Sequence, residues 1–424
     1  MCNLGFGCYP PTQNSLMLKI ESYQYRFLHV LIGLFVVRII QAAVVYFVPF
    51  QFDTSSAILI DKYKSEIPKY PGWLLQILNN LTAWDSVYFL KLSMDGITYE
   101  HEWVFGPLWW RMMRIFKTSM SFYGIEMDIY DVLVSFIILN NVLIILISYI
   151  LYHLCLLICE GNLKLIGKLN NKKFAYYTSL IILIQPSGIF STVSYSETMV
   201  QFLSYLGVYL YLSSRGRVIL SNRVRYFLSG TLFTIAFGFR SNSLLYGIIY
   251  LTDLLQFRNI KDIFTILITG AQLFIGLALS IYIPYSIYCP ERGEWCNSFS
   301  KSLVLYAQSH YWDNGFLKYF TIANIPMFVI AAPQLLILGL SINFFKSWVT
   351  LKSLTIMSAI YLALQFTTMH VQIVNRVSTF IPLHIWYVSY LYTVNPERGR
   401  WILKWWIFWV ILQTALFAAF LPPA

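Results

Sequence analysis

Charge is what this sequence has least of. Asp, Glu, Lys and Arg make up 12% of its 424 residues, about half the roughly 25% usual in soluble domains. With 58% hydrophobic residues and a mean hydropathy of +0.62, a water-soluble protein is excluded. The net charge of +11 is spread along the chain, which argues against a nucleic-acid partner. Cysteine is scarce too: the six present show no metal-ligand spacing. Cys155 and Cys159 share one face of an apolar helix and read as core packing. Cys289 and Cys296 flank the short polar stretch from Pro290 to Trp295, where a disulfide is open if that loop meets an oxidising compartment. No internal repeat is visible, against transporters built from inverted halves. Neither a soluble appendage nor a linker interrupts residues 1–424, so one membrane domain is expected.

What the chain has instead is a series of apolar runs, each suited to crossing about 30 Å of hydrocarbon as a helix. The first, Phe27 to Phe50, is too long for a cleaved signal peptide and reads as a membrane helix. After a long first loop, residues 51–130, which carries the candidate catalytic segment, come Val132–Ile158, Phe174–Phe190, Met199–Leu212, Phe227–Phe239, Leu244–Leu255, Ile263–Tyr288, Ile325–Phe345, Leu354–Met369, Val377–Val394 and Ile402–Leu421. The fold class is thus an all-α polytopic membrane protein with about 8–11 spans. Runs near 13 residues reach only about 20 Å, which is tolerated where protein or a wet cavity covers the loose backbone.

Counting crossings from a cytosolic N-terminus (Lys19, Arg26) tests sidedness. Lys164, Lys168, Lys172, Lys173, then Arg215, Arg217, Arg223, Arg225, then Arg258 and Lys261, Lys346 and Lys352, and Arg398, Arg400 and Lys404 all fall on the cytosolic side, as the positive-inside rule requires. The stretches whose residues suit chemistry fall on the other: Trp84–Pro107, Gln185–Glu197, Arg240–Asn242, Trp295–Trp312 and His370–Arg376.

Within Trp84–Pro107, Asp85 beside Trp84 and Tyr88 suits a general base for a sugar hydroxyl, since aromatic faces stack on sugars. Thr82 to Asp85 also fits a capping box, with Asp85 at the third helical position. Glu100, His101 and Glu102 offer carboxylate and hydrogen-bonding groups, or plain surface polarity. Lys91 and Asp95 read as an exposed ion pair. Gln185-Pro186-Ser187-Gly188 ends one helix, and Ser194 to Glu197 resembles a capping box opening the next, with Gln185, Tyr195 and Glu197 as candidate cavity wall. Arg240 and Arg376 sit against the positive-inside trend, which an anionic lipid phosphate explains as well as snorkelling does. His370 and Gln372 lie close enough to share such a phosphate. Gln308, His310 and Trp312 belong to a loop dense in aromatic and hydrogen-bonding groups. Arg38, in mid-span, must face protein or water.

Taken in order, the blocks W-D-S-V-Y-F with Gly96 and Y-E-H-E-W (84–103), Q-P-S-G-I-F-S-T-V-S-Y-S-E (185–197), R-S-N (240–242), W-C-N (295–297), Y-A-Q-S-H-Y-W-D-N-G-F-L (306–317) and H-V-Q-I-V-N-R-V-S-T (370–379) resemble the GPI mannosyltransferase 2 family. The sequence departs from it after E-H, reading F-G-P-L-W-W where many members carry a Phe-Phe-Pro-Gly-like turn. The resemblance implies a GT-C type bundle in the endoplasmic reticulum membrane, with a lumenal site. Dolichyl phosphate mannose would be the lipid donor, and the first mannose of the GPI precursor the acceptor. An α-1,6 link would form with inversion, without metal or cofactor. In that frame Asp85 is the base. Arg240, His370, Gln372 and Arg376 surround the lipid phosphate, and Trp84, Tyr88, Glu100, His101, Gln185, Tyr195, Glu197, Gln308, His310 and Trp312 position the sugars. Partners would be the two lipid substrates and the membrane, with room for an accessory membrane subunit. The rival readings are a related transferase with another acceptor and a lipid transporter or scramblase. The latter calls for polar groups in mid-bilayer rather than at one face.

Overall fold

The computed structural model describes residues 23–162, 169–215, 222–256, 259–291 and 293–422. Lys19, Lys164, Lys168, Arg217 and Arg258 of the charge pattern lie outside them. Among the described residues there is no strand, and seventeen α-helices alternate with short 3-10 turns. Helix α1 (Phe27–Phe47) is followed by α2 (Ser55–Tyr63), α3 (Gly72–Leu81), α4 (Asp85–Asp95) and α5 (Pro107–Phe122), four helices in place of the expected loop, each too short or too polar to stand out as an apolar run. Next come α6 (Ile129–Gly161), α7 (Asn171–Ile181), α8 (Glu197–Ser214), α9 (Arg223–Phe239), α10 (Gly247–Leu254) and α11 (Ile260–Tyr288). The rest are α12 (Leu303–Tyr311), α13 (Ile325–Phe345), α14 (Lys352–Thr368), α15 (Val374–Val377), α16 (Leu383–Val394) and α17 (Pro396–Ala418).

Among the described residues six helices are long and apolar enough to cross a bilayer: α1, α6, α11 and α17, together with α13 and α14 extended by their leading 3-10 turns. This is a multi-pass membrane protein. Every one of the eleven apolar runs contains helix, but several are shorter than their hydropathy suggests. Helix α1 stops at Phe47 rather than Phe50 because Pro49 disfavours helical backbone in the residue before it. The run from Phe174 is helical only to Ile184, and the run from Val377 is broken by Pro382 before α16 begins. Helix α6 goes the other way. Its 33 residues reach about 50 Å, well beyond the hydrocarbon. Its start is fixed by a capping box in which Asp128 accepts the amides of Tyr130 and Asp131, and Asp131 accepts that of Asp128.

The bundle is built around α8. It packs on α9 and α6, while α9 also packs on α11, and α6 on α7. On the other flank α16 sits among α7, α13 and α17, and α17 returns to α1. Gly207 lets α8 and α9 approach, since a Cβ there would run into the Phe233 ring. Cys155 and Cys159 are free and buried among these helices.

Candidate functional site

Four charged side chains from four distant parts of the chain meet at one end of the bundle. Asp85 opens α4, Glu197 opens α8, Arg240 is the C-cap of α9 and Arg376 lies on α15. Asp85 Oδ2 accepts a hydrogen bond from Arg376 Nη1 at 2.9 Å and lies 3.5 Å from Arg240 Nη2. Arg240 also donates to Glu197 Oε1 and, through Nε, to Ser196 Oγ at 3.1 Å. Arg376 Nε lies 3.4 Å from Glu197 Oε1, outside hydrogen-bond alignment. Its guanidinium covers the rings of Phe190 and Tyr195, 5.0 and 5.6 Å from their centroids. Burial works to lower the pKa of Arg376, but Asp85 and Glu197 beside it carry it above the ordinary arginine range. Two guanidiniums therefore share two carboxylates, with side-chain exposures of 22% for Asp85, 20% for Arg240, 13% for Arg376 and 5% for Glu197.

Local sequence explains how each arrives. Trp84 has φ 54°, a left-handed conformation costly for a bulky residue, and this turn places Asp85 at the head of α4. The expected capping box is absent: Asp85 is the first helical residue, not the third, and Thr82 Oγ1 donates to Leu78 O inside α3. The Asp85 amide donates instead to Tyr195 OH at 2.8 Å. Gly106 takes φ +51°, and a Cβ on it would collide with the carbonyl of Phe239, the residue before Arg240. This contact seats the loop after α4 on the end of α9. The Ser194–Glu197 capping box does not form either. Ser196 is the N-cap, makes no cap bond, and gives its hydroxyl oxygen to Arg240.

Between α7 and α8 the buried stretch Gln185–Ser196 is largely irregular inside the apolar bundle. Its backbone groups are satisfied by side chains, as hydrocarbon surroundings require. Pro186 O accepts from Trp409 Nε1 at 3.0 Å and from Gln413 Nε2 at 3.2 Å, both on α17. Val193 O and Tyr195 O both accept from Asn140 Nδ2, and Ser194 O accepts from Trp109 Nε1 at 2.8 Å. Ser191 O accepts from Arg38 Nη2 at 3.3 Å. The mid-span Arg38 thus faces protein, with Asn141 Oδ1 at 2.7 Å and Gln41 Oε1 at 2.8 Å as further acceptors. Gln185 itself does not line the charged cluster: it exchanges amide hydrogen bonds with Gln201 at 3.0 and 2.8 Å in the core.

A roof stands beside the cluster. The 3-10 turn Glu100–Val104 packs on α12. Glu100 accepts from Trp295 Nε1 at 3.4 Å and from Tyr311 OH at 3.3 Å. The Cys289–Cys296 disulfide forms, and its cysteines pack in a small core with Trp103, Trp295 and Leu303. Glu102 pairs with Lys91 and accepts the amides of Thr98 and Tyr99 at 2.8 and 3.0 Å. Burial alone would raise its pKa, yet Lys91 and the two amides hold it below the usual value. The expected Lys91–Asp95 pair is therefore replaced: Asp95 bonds Lys62 at 3.1 Å and Tyr63.

Aromatic rings line the roof. Tyr88 stacks on Phe105 at 4.3 Å, and His101 lies 6.0 Å from Tyr88, 5.2 Å from Tyr311 and 6.3 Å from Trp312. His370 hydrogen-bonds Trp312 O at 2.7 Å and stacks on Tyr319 at 4.5 Å, so its ring belongs to the roof rather than to the arginine pair. Gln372 is half-buried in the 3-10 turn Val371–Ile373, which His370 precedes. Gln308 accepts from Asn314, and His310 stacks on Tyr306 at 5.1 Å. The indole of Trp84 points to Leu421 O, 3.1 Å away, and packs on Phe420. Ser196, Phe190 and Tyr311 were not singled out from sequence, although all three lie inside blocks that were.

The arrangement suits holding a phosphate group. Arg240 and Arg376 present fork-shaped donors that match phosphate oxygens, with a carboxylate at the same point and a stacking surface next to it. Among the described residues no three His, Cys, Asp or Glu side chains cluster as metal ligands.

Comparison with known proteins bears on which anion is meant. The model of the family described as mannosyltransferase (PIG-V) matches residues 29–358 and 349–424. A GPI mannosyltransferase 2 of Eremothecium gossypii is 34% identical over 432 residues, covering 92% of this chain and 97% of its own. That of Saccharomyces cerevisiae is 34% identical over 430 residues, covering 91% and 97%. The Kluyveromyces lactis protein is 33% identical over 438 residues, covering 96% and 100%.

Proposed function

Because the chain belongs to the mannosyltransferase (PIG-V) family and is a glycosyltransferase of GPI-anchor assembly, we propose that it moves mannose from dolichyl phosphate mannose to the first mannose of the GPI precursor. The product carries an α-1,6 link with inverted anomeric configuration, formed in the endoplasmic reticulum membrane at a lumenal site, with the N-terminus cytosolic. The observation that carries this reading is the sharing of Asp85 by Arg376 and Arg240.

One displacement suffices. The acceptor hydroxyl attacks the anomeric carbon from the side opposite the phosphate, as in other inverting transfers. Its proton passes to Asp85, the new C–O bond forms, and the old one breaks with its electron pair on the phosphate. Both ion pairs of Asp85 fall on Oδ2, so Oδ1 is the oxygen turned to the acceptor. Arg240 and Arg376 stabilise the charge that develops on the leaving phosphate. Tyr88, His101, Gln308, His310 and Trp312 hold the sugars from the roof, with Glu100 and His370 tying its pieces together. No cofactor takes part. The disulfide beneath Trp295 supports a lumenal roof, since such bonds persist in oxidising compartments.

The test is transfer by purified protein given labelled dolichyl phosphate mannose and a monomannosyl GPI acceptor. A dimannosyl product with an α-1,6 link is expected. No product with this pair, together with transfer to a different mannosyl acceptor, would replace the acceptor in this proposal.

A further inference from the structure

Arg38 lies outside the charged cluster, yet its hydrogen bonds reach the segment that builds the cluster by three routes. Nη2 contacts Ser191 directly, at the carbonyl (3.3 Å) and at Oγ (3.4 Å). Nη1 donates to Gln41 Oε1 at 2.8 Å, and that same oxygen accepts from Thr192 Oγ1 at 2.8 Å. Nε donates to Asn141 Oδ1 at 2.7 Å, next to Asn140, whose amide holds Val193 O and Tyr195 O. Immediately downstream stand the residues that make the site: Tyr195 under Arg376 and the Asp85 amide, Ser196 on Arg240, and Glu197 between both arginines. Among the described residues no carboxylate forms an ion pair with Arg38. The acceptors around it are neutral and belong to α1, α6 and this segment. A guanidinium can serve three directions at fixed angles, which no other side chain does.

We propose that Arg38 is a positioning residue: from within α1 it sets the path of Ser191–Tyr195, and so the placement of Glu197 and of the arginine pair that Glu197 and Ser196 hold. It touches neither sugar nor phosphate. The groove beside it, lined by Leu31, Ile32, Leu34, Phe35 and Asn141, admits a different occupant-based role, which the test separates.

The test compares full-length wild-type, Arg38→Lys and Thr192→Val proteins in detergent by hydrogen exchange, melting temperature, mannosyl transfer and native mass spectrometry of bound lipid. Lysine keeps the charge, but its three donors radiate from a single nitrogen and cannot span the acceptors that Arg38 meets with Nε, Nη1 and Nη2. R38K is expected to raise exchange selectively across 185–197, and to lower kcat about tenfold to a hundredfold, the scale of a misplaced catalytic group, at an unchanged melting temperature. T192V, which cuts one route, follows in the same direction with a smaller effect. Unchanged exchange and kcat in R38K would overturn the proposal. So would a uniform loss of protection and melting temperature, or loss of one bound phospholipid with the segment undisturbed. The exchange result does not depend on the sugar chemistry. Absence of transfer in the wild-type protein therefore strikes the proposed reaction alone.

Discussion

At its first residue α8 contributes Glu197 to a cluster in which two arginines share two carboxylates. At the other end of the same helix, 18 residues on and so about 27 Å away, Arg215 enters a cluster built differently. There a single carboxylate, Asp253, is fully buried. It receives hydrogen bonds from Tyr211 at 3.0 Å, Tyr226 at 2.9 Å and Ser353 at 3.1 Å, and the Arg215 ion pair at 3.1 Å. That arrangement ties α8, α9, α10 and α14 together, and its four donors engage both carboxylate oxygens of a side chain closed off from solvent, three on Oδ1 and one on Oδ2. In the Glu197 cluster, Glu197 Oε2 and Arg376 Nε are buried without a hydrogen-bond partner, and Asp85 is partly exposed. A saturated cluster has nothing left to offer a ligand, whereas one with spare valences and access does. In the proposed mechanism the Asp85 end carries the chemistry, while the Asp253 end holds helices together.

Substitution can break that division. Asp85→Asn is expected to lower mannosyl transfer about a thousandfold, within the range for loss of a general base, without changing the melting temperature. Asp253→Asn should do the reverse. Removing one partner of a buried pair costs about 3 kcal/mol, read as a lower melting temperature and poor accumulation, while each folded molecule keeps its kcat. A D253N protein that melts normally but does not transfer would end the comparison. Arg240→Lys sharpens it: one ammonium cannot serve Ser196 and Glu197 together and still face a phosphate. The donor KM is expected to rise about tenfold, on the order of one charge-assisted hydrogen bond.

The smallest effect is on pH dependence. Glu102 has its pKa lowered in the folded protein, so its ion pair with Lys91 contributes stability that is complete above the carboxyl group's ordinary value of 4.5. That contribution is lost as pH falls through the lower folded value. Melting temperature should therefore change little between neutral pH and that ordinary value through this group, then drop, and Glu102→Gln should remove this part of the acid dependence.

Glu197, Arg240 and Arg376 could be read from sequence because each stands at the edge of an apolar run, and the two arginines also defy the sidedness of the other cations; Asp85 was legible only from its aromatic neighbours Trp84 and Tyr88. Hydropathy likewise found helix in every apolar run but missed α2 to α5 and α12, which are too short or too polar to register as spans. It overestimated the runs ended by Pro49, Pro186 and Pro382, since an average over many residues does not register a missing amide. The partners were another matter. Lys91 has Asp95 one turn away yet pairs with Glu102, and Gln185 pairs with Gln201 across a chain reversal. Neither expected capping box formed, because the Thr82 hydroxyl donates to Leu78 O and Ser196 Oγ accepts from Arg240 once the chain has folded. Local pattern supplies the candidates, and the tertiary approach of strangers in sequence decides among them.

The Pro186 carbonyl is held by Trp409 and Gln413, and both stand on α17, which follows every other helix as the ribosome delivers the chain. Until α17 has been released into the lipid, that carbonyl lacks these two donors, although Gln201 already holds Gln185 beside it. The turn leading to Glu197 thus gains its last two hydrogen bonds only when α17 packs.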